Sequence, residues 1–590
     1  MIKERLEKLR KKMGERNIEA YIILTSDPHS SEYIADYYKT REYISGFSGS
    51  AGSLVVTRKS AALFTDGRYF IQAERELAGS GIDLMKMGEP GVGTLIDYLV
   101  ENTSDCAKIG VDGLSLDYEY YYELINNIGI HRMLITDIDL VGEIWEDRPE
   151  LPKEPAYSLD LKYCGESAGS KIERLRDILR EKSCDYDFIG SLDDICYLYN
   201  IRGNDVTYNP VVMSYALVGM DFANLYIDAE KVDEDLKKNL QIDGISLKRY
   251  DDIYQDLSEL SGTSVLFIDP AKTNVKIYNS INSNVRLNKG MQPVSLMKAH
   301  KNRTEIKNNK NAYIKDGVAL VKFFYWLSVG VPTGNVTEHS AAEKLRMFRQ
   351  EGDLFKDLSF ETISAYGENA ALPHYSTPEI GSPSLKSEGL YLVDSGAQYL
   401  DGTTDITRTI ALGPLTEEEK LHYTLTLKSH IALMTTIFPK GTKAAMLDPI
   451  ARRPIWQEGL DFNHGTGHGV GFFLNVHEGP QAITKRDNGI LMEEGMVTSD
   501  EPGIYVEGSH GIRIENIMVC VKKFENEFGE FLGFESLSIC PIDTKPVIKE
   551  RLTEEEIDWL NSYNKESFEK LSPYLEGPEL EYLKKVTEAI

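Results

Sequence analysis

The chain has 590 residues and a formal net charge of -28, with 93 acidic residues against 65 lysines and arginines. This length predicts three or four domains, and an apolar content of 42% is sufficient for ordinary buried cores. Because an acidic surface repels phosphate backbones, we expect no nucleic-acid partner. No apolar run approaches the roughly 18 residues that cross a bilayer, and the charged N-terminus lacks the apolar core of a secretory signal. Together with six scattered cysteines that form no CxxC pair, these features favour a cytoplasmic protein with no membrane attachment.

The first half of the chain predicts two α/β domains. In residues 1–152, strand-like runs (AYIILTS, GSAGSLVVT, AALFTDGRYF) alternate with helical patterns, and the proline-rich EIWEDRPELPKEPAYS reads as a linker. A second α/β segment, 153–302, contains CYLYNIRGNDVTYNPVVMSYALVGMDFANLYID, which is similar to the stretch around GFSGSAGSLVVTRKSAALFTDGRYF. This similarity indicates an internal duplication.

The second half predicts helices followed by β-rich segments. A helix runs through YIKDGVALVKFFYWL, and Thr337 is placed to cap another. Seven of the eleven histidines lie between residues 374 and 510, so the chemistry is expected in a domain spanning 303–545. Residues 546–590 are charged and helical, which is typical of a helix packed on a surface.

Two aspartates flank a predicted hairpin in LYLVDSGAQYLDGTTDITRTI. Asp401-Gly402 is a strong turn signal, and pairing outward from it puts Gln398 opposite Asp405. Asp394 then shares a face with Asp405, although a flat ribbon leaves the two carboxylates roughly 13 Å apart. Coiling at Gly396 could close that gap.

Three histidines fall within NHGTGHGVGFFLNVHEGP: His464, His468 and His477. The alternating glycines would permit close approach of a metal ion or a substrate to the backbone. A single histidine is usually structural, but three in this setting favour a functional site.

Two glutamates follow in MVTSDEPGIYVEGSHGIRIENIMV. Glu501 ends a strand-like run before a proline, and Glu515 lies inside the next run on the same face as Arg513. A buried carboxylate of this kind is paired or metal-bound, so an Arg513–Glu515 ion pair is the structural alternative. Further upstream, LPHYS places His374 twenty residues before Asp394.

This set of side chains favours two divalent metal ions. Carboxylates and imidazole suit manganese, cobalt, zinc or iron(II) rather than a thiolate-seeking metal. Four carboxylates carry four negative charges, which two divalent cations balance and one does not.

In these motifs the sequence resembles the pita-bread metallopeptidases, and within them the three-domain Xaa-Pro aminopeptidases. The resemblance rests on DSGAQYLDGTTDITRT, HGTGHGVGFFLNVHEGP and DEPGIYVEGSHGIRIEN, with GFSGSAGSLVV and TDGRYF in the first domain. It implies two similar creatinase-N-like α/β domains followed by a pita-bread catalytic domain, an overall α/β (α+β) class. It also implies a homodimer with manganese as the usual metal, with zinc or cobalt as alternatives.

The resemblance further implies a role for each site residue. The implied metal ligands are Asp394, Asp405, His468, Glu501 and Glu515, of which Asp405 and Glu515 bridge the two ions. The implied substrate-binding residues are His374, His464, His477 and Arg513. The implied catalytic residues are His374, His477 and Glu501, with Glu501 accepting a proton from water.

The implied reaction is hydrolysis of the peptide bond before proline by a hydroxide that bridges the two metals. The substrate would be a peptide with a free N-terminus and proline at position two, and Phe472-Phe473 could contribute an apolar surface for the ring. Three alternatives remain. A prolidase shares the site but cuts only dipeptides, a creatinase shares the fold without metal, and an inactive binding module would retain the shape alone.

Overall fold

The structure is a computed structural model that describes residues 1–590. Its backbone contacts divide the chain into two compact units, one of residues 1–159 and 166–295, the other of residues 160–165 and 296–590. None of the helices combines the length and the apolar character that a membrane crossing requires.

The first unit begins with a six-stranded sheet of strand order β4-β3-β2-β1-β5-β6. Its strands are β1 Ala20–Leu24, β2 Ser53–Thr57, β3 Ala61–Thr65, β4 Asp83–Lys86, β5 Lys108–Val111 and β6 Met133–Ile135. Its helices are α1 Ile2–Glu15, α2 Thr40–Ser45, α3 Phe70–Glu76, α4 Leu95–Asn102 and α5 Tyr118–Asn127. Strand β1 pairs antiparallel with β2 and parallel with β5, and α1 buries Leu6, Leu9 and Met13 along one face.

A second six-stranded sheet in the same unit repeats this topology, with strand order β12-β11-β10-β8-β13-β14. Its strands are β8 Tyr186–Ile189, β10 Ser214–Gly219, β11 Ala223–Ile227, β12 Ile245–Arg249, β13 Val265–Ile268 and β14 Arg286–Lys289, and β7 Tyr157–Ser158 pairs separately with β9 Ile201–Arg202. The helices that follow β7 are α6 Leu161–Cys164, α7 Ala168–Glu181, α8 Leu192–Leu198, α9 Glu234–Ile242, α10 Asp252–Ser258, α11 Val275–Ser280 and α12 Pro293–Ala299. Strand β8 pairs antiparallel with β10 and parallel with β13, as β1 does with β2 and β5. The predicted duplication is therefore confirmed.

The second unit combines helices with antiparallel sheets. It contains α6 and the end of α12, and its other helices are α13 Arg303–Gly330, α14 Glu338–Gln350, α15 Glu417–Met434, α16 Asp448–Trp456, α17 Glu554–Leu571 and α18 Gly577–Val586. Thr337 forms a capping box with Ser340 at the start of α14, which confirms the predicted cap.

Four groups of strands complete this unit: β15-β18-β19, β16-β17-β20, β21-β28-β27-β24-β22-β23 and β25-β26. The first seven are β15 Phe355–Leu358, β16 Ile363–Tyr366, β17 Leu390–Ser395, β18 Ala397–Tyr399, β19 Gly402–Thr403, β20 Ile406–Ala411 and β21 Ile437–Pro439. The others are β22 Gly467–Gly469, β23 Glu478–Ile483, β24 Val497–Asp500, β25 Gly503–Val506, β26 His510–Arg513, β27 Asn516–Asn526 and β28 Gly529–Ser536. The predicted helices and β-rich segments are both present, and the mixed α/β class is confirmed.

Candidate metal centre

The first two predicted ligands lie on the ribbon formed by β17 and β20. Asp394 pairs with Thr407, and nearer the turn Gln398 pairs with Thr403 rather than with Asp405. The same register puts Asp405 two residues from Asp394 along the ribbon instead of four. Diagonal neighbours of this kind are roughly 7–8 Å apart. The predicted shared face is confirmed, and the predicted pairing of Gln398 with Asp405 is wrong. The observed register brings the two aspartates closer together along the ribbon than the predicted pairing would.

The close approach of the two strands depends on Gly396. A Cβ at this position would lie 1.9 Å from the backbone oxygen of Thr404 and 2.2 Å from Oγ of Ser359. Any larger residue would therefore push the strands apart between the two aspartates.

His468 lies in β22, and Glu501 immediately follows the neighbouring strand β24. The glycines beside His468 admit protein backbone rather than a ligand, because a Cβ on Gly467 would meet the oxygen of Ser499 at 2.0 Å and one on Gly469 the oxygen of Glu478 at 2.2 Å. The need for small residues beside His468 was predicted correctly. The predicted cause, close approach of a metal ion or a substrate, is wrong. Tight strand packing presents the imidazole of His468 toward the carboxylate of Glu501.

Glu515 lies between β26 and β27, where the predicted continuous strand is broken. Its N–H donates to the oxygen of Thr407 at 3.1 Å, and the Thr407 hydroxyl donates to its carboxylate at 2.8 Å. Thr407 thus fixes both the main chain and the side chain of Glu515. Thr407 was not among the predicted site residues. Its polarity within a strand is the feature of the sequence that could have identified it.

Three of the predicted ligands meet directly. Ligand atoms of Asp405, His468 and Glu515 all lie within 4.8 Å of one another. His468 Nε2 is 3.4 Å from a carboxylate oxygen of Asp405 and 3.5 Å from one of Glu501. Atoms at such separations can share one cation.

Burial gives the carboxylates unusual proton affinities. It raises the pKa of Asp394, raises that of Glu501 to about 7, and, with the charge of Asp405, raises that of Glu515 well above its ordinary value. Burial alone would lower the pKa of His468, but its hydrogen bond with Asp405 and the charge of Glu501 raise it to about 9. Negative charge is therefore concentrated here beyond what the protein's own cations balance.

Arg513 pairs with Asp394 and not with Glu515. Its Nη2 lies 2.5 Å from Asp394 Oδ2, its Nε donates to the Thr407 hydroxyl at 3.1 Å, and its Nη1 donates to the hydroxyl of Tyr505 at 2.7 Å. The alternative of an Arg513–Glu515 ion pair is thus wrong. Arg513 offsets one of the four negative charges.

The predicted histidines lie around this cluster. His464 Nε2 is 2.8 Å from the Tyr505 hydroxyl, and its Nδ1 is 4.0 Å from Glu501. Burial, then the charge of Arg513, lowers the pKa of His464 well below its ordinary value, with a smaller contribution from the charge of His374.

His477 packs against the imidazole of His468, with the ring centroids 4.4 Å apart and the rings nearly perpendicular. His374 and His477 are both half-buried, so each can be reached from solvent. Phe472 and Phe473, in contrast, are 2% and 1% exposed. They belong to the core, and the expectation that they offer a surface to a substrate is wrong.

The donor set fits divalent cations. Oδ1 of Asp394 is buried and has no hydrogen-bond partner, so one ligand atom is open. Cations bound here would satisfy that oxygen and stabilise the charged forms of all the carboxylates, whose burial is otherwise costly.

Four family models match consecutive parts of the chain. Residues 5–144 and 147–305 each match a Creatinase/Prolidase N-terminal domain. Residues 307–522 match Metallopeptidase family M24, and residues 530–590 match the C-terminal region of peptidase M24.

Individual proteins match over almost the full length. A probable Xaa-Pro aminopeptidase P of Laccaria bicolor is 41% identical, covering 97% of this chain and 91% of its own. Aminopeptidase P2 of Arabidopsis thaliana is 40% identical, with coverage of 98% and 87%. The crystal structure of the X-prolyl aminopeptidase from Caenorhabditis elegans, described as a cytosolic enzyme with a di-nuclear active site, is 37% identical, covers 100% of both chains and superposes with a TM-score of 0.96.

Proposed function

The chain belongs to metallopeptidase family M24, and we propose that it releases the first residue from peptides whose second residue is proline. It is a metal-dependent hydrolase of the Xaa-Pro aminopeptidase group. The observation that carries this conclusion is the convergence of Asp405, His468 and Glu515 within 4.8 Å, in a domain whose relatives share the same architecture. The intact set of acidic residues favours an enzyme over a binding module that has lost its ligands.

The metal ligands in this proposal are Asp394, Asp405, His468, Glu501 and Glu515. The open oxygen of Asp394 and the contacts of His468 with two carboxylates support the assignment. Two bound divalent cations supply Lewis-acid polarisation and make water a stronger nucleophile at neutral pH. Manganese is our first choice, with zinc and cobalt as alternatives, since hard oxygen donors predominate.

Glu501 is proposed to move the proton of the attacking water. Its carboxylate is half-buried, accepts from the Ser499 hydroxyl at 3.2 Å, and has its pKa raised to about 7 in the metal-free protein. A carboxylate beside the bound cations would be placed to accept this proton and to return it later.

The half-buried histidines are proposed to hold the substrate. His477, beside His468, would stabilise the oxyanion that forms on the scissile carbonyl. His374 and His464 would orient the peptide, and Arg513 with Tyr505 would hold the imidazole of His464 in place. The faces of these imidazoles, rather than the buried Phe472 and Phe473, would supply the apolar contact for proline.

Selectivity for proline follows from its chemistry. The bond before proline is a tertiary amide with no N–H, so an ordinary aminopeptidase site that expects this donor binds it poorly. A free N-terminus is also required in our proposal, because capture of the amine limits cleavage to the first residue.

A peptide panel tests the proposal. With Mn²⁺ present, Ala-Pro-Ala should lose its first residue, whereas Ala-Ala-Ala and N-acetylated Ala-Pro-Ala should be cut far more slowly. A prolidase would instead hydrolyse Ala-Pro and leave Ala-Pro-Ala intact, which would overturn the substrate proposal without affecting the metal centre. Chelation should abolish activity, and re-addition of single metals identifies the native ion.

We further propose domains of 1–152, 153–302 and 303–545 with a C-terminal segment of 546–590, a cytoplasmic location and a homodimer. The family-model limits and the cytosolic relative support the first two proposals. All six cysteines are free, and five are buried, as suits a reducing compartment. Sedimentation of the full chain at several concentrations tests the dimer.

A further inference from the structure

A buried polar network lies behind the strands that carry the metal centre. Asp500 and Asn516 are paired across β24 and β27, and each adjoins a proposed ligand, Glu501 and Glu515 respectively. Because successive side chains of an extended chain point to opposite faces, Asp500 and Asn516 point away from the ligands. Both are completely buried, at 0% exposure.

His430 of α15 joins these two residues. Its imidazole is 0% exposed. Nδ1 lies 3.2 Å from the backbone oxygen of Asp500 and 3.1 Å from its carboxylate, and Nε2 lies 3.1 Å from Nδ2 of Asn516. One side chain thus contacts both strands immediately next to the ligand positions.

The hydrogen-bond partners of Asn516 determine which ring nitrogen of His430 carries the hydrogen. Oδ1 of Asn516 accepts from Arg408 Nη2 at 2.8 Å and from the Tyr563 hydroxyl at 3.1 Å, so the amide nitrogen of Asn516 must face His430. Nε2 is then the acceptor, and Nδ1 carries the hydrogen and donates to the backbone oxygen of Asp500. The two nitrogens therefore have different and non-exchangeable partners.

Arg408 extends the network to a third ligand-bearing segment. It lies on β20, three residues after Asp405, and donates to the backbone oxygens of Glu515 at 2.6 Å and of Thr407 at 2.9 Å. The segments that carry Asp405, Glu501 and Glu515 are therefore connected through His430, Asn516 and Arg408.

Helix α17, in the C-terminal segment, covers the network. The Tyr563 hydroxyl accepts from Arg408 at 2.9 Å, and Trp559 stacks on Tyr563 with the ring centroids 5.3 Å apart. Trp559 also meets the imidazole of His430 edge-on at 5.7 Å. This contact gives the C-terminal segment a role beyond general support of the surface.

We propose that His430, covered by α17, is a positioning residue that holds the segments of Asp405, Glu501 and Glu515 in the arrangement that binds two cations. It touches neither substrate nor cation. The proposal rests on the ligand roles given above. Partners of metal ligands typically contribute 10–100-fold to metal affinity, which is the size of effect expected here.

Mn²⁺ binding by the full-length protein, followed by the electron paramagnetic resonance of free Mn²⁺, tests the proposal. His430→Phe keeps the ring and its contact with Trp559 but loses both hydrogen bonds, and should weaken Mn²⁺ binding by about 10-fold or more. His430→Asn places an amide near the position of Nδ1, can still donate to Asp500, and should recover part of the affinity.

Two controls separate positioning from general stability. Lys428→Gln removes a half-buried 2.6 Å ion pair between α15 and Glu556 of α17 without touching the network. Leu583→Ala destabilises the same unit through a fully buried residue of α18. Both should bind Mn²⁺ as the wild type does, even where thermal stability falls as much as in His430→Phe.

The outcomes are distinct. Unchanged affinity in a folded His430→Phe variant overturns the positioning role, and so does an equal loss of affinity in Leu583→Ala. A wild-type chain that binds no Mn²⁺ refutes the proposed metal centre instead. If His430→Phe does not fold, Tyr563→Phe keeps the stacked ring, removes the hydroxyl, and should show a smaller loss in the same direction; wild-type affinity in that variant also overturns the proposal.

Discussion

Arg513 donates to Asp394 at 2.5 Å, although Glu515 is closer to it in sequence. The guanidinium of Arg513 supplies a fixed positive charge inside a cluster of buried carboxylates. The substitution Arg513→Met leaves Asp394 buried without its cationic partner. We expect it to lower the free energy of unfolding of the metal-free protein by about 3–5 kcal/mol. Bound cations would replace part of the lost charge, so the loss should be smaller with Mn²⁺ present.

Denaturant unfolding with and without Mn²⁺ measures this difference. Arg346→Met is the control, because its guanidinium pairs with Glu343 at the surface, where such pairs contribute about 0–1 kcal/mol. Equal losses in the two variants would contradict the buried role of Arg513.

Asp405 and Glu515 are expected to be essential for metal binding. Asp405→Asn and Glu515→Gln keep the side-chain shape but remove a negative charge, and each should lose bound metal and nearly all peptidase activity. Metal content after dialysis and the rate of Ala-Pro-Ala hydrolysis are the measurements. Asp401→Asn is the matched control, since that carboxylate pairs with Lys315 at 2.5 Å outside the centre. Retention of two metals with normal turnover would show that the ligand assignment is incorrect.

His477 should affect turnover without affecting metal content. As the proposed oxyanion donor, its replacement in His477→Ala should lower kcat by roughly 100-fold or more. Stopped assays at saturating Ala-Pro-Ala, combined with metal analysis, separate the two properties. The exposed His131→Ala serves as the control. A variant that lost its metal would identify His477 as a ligand.

The His422–His510 pair should make stability fall in mild acid. The nitrogens of the two rings are 2.9 Å apart, and burial lowers the pKa of both, with the charge of His422 also lowering that of His510. Below about pH 6.5 the unfolded chain binds protons that the folded chain does not, so stability decreases as the pH falls, by up to about 1.4 kcal/mol per pH unit for each histidine.

His422→Gln cannot titrate and can still form a hydrogen bond. Its stability should therefore decrease less than that of the wild type between pH 7.5 and pH 5.5, as measured by urea unfolding. His131→Gln, at the surface, should follow the wild type. A parallel decrease in His422→Gln and the wild type would exclude the pair as the source of acid sensitivity.

Much of the fold could be predicted from local patterns. Alternating apolar residues identified strands, Thr337 marked the start of a helix, and two similar stretches revealed sheets with the same strand order. Each of these features depends on residues near one another in the chain, where periodicity and capping chemistry operate. The two aspartates were correctly expected on one face for the same reason, because alternation of side chains is a local property.

The pairing register of the two strands around Gly396 could not be predicted from local patterns. A shift of one paired position in the turn changed the partner of Gln398 from Asp405 to Thr403 and shortened the spacing of the aspartates. Turn residues give the approximate position of a hairpin, but packing of Gly396 against Ser359 and Thr404 determines which residues pair.

The sequence alone therefore determined which residue types the centre contains, because hard ligands and alternating strands are recognisable from composition and spacing. Tertiary structure alone decided their partners. Arg513 meets Asp394 rather than Glu515, Phe472 and Phe473 are buried, and His430 contacts two strands across the back of the centre. Such contacts join residues far apart in the chain, so long-range packing selects them, and no local pattern encodes that choice.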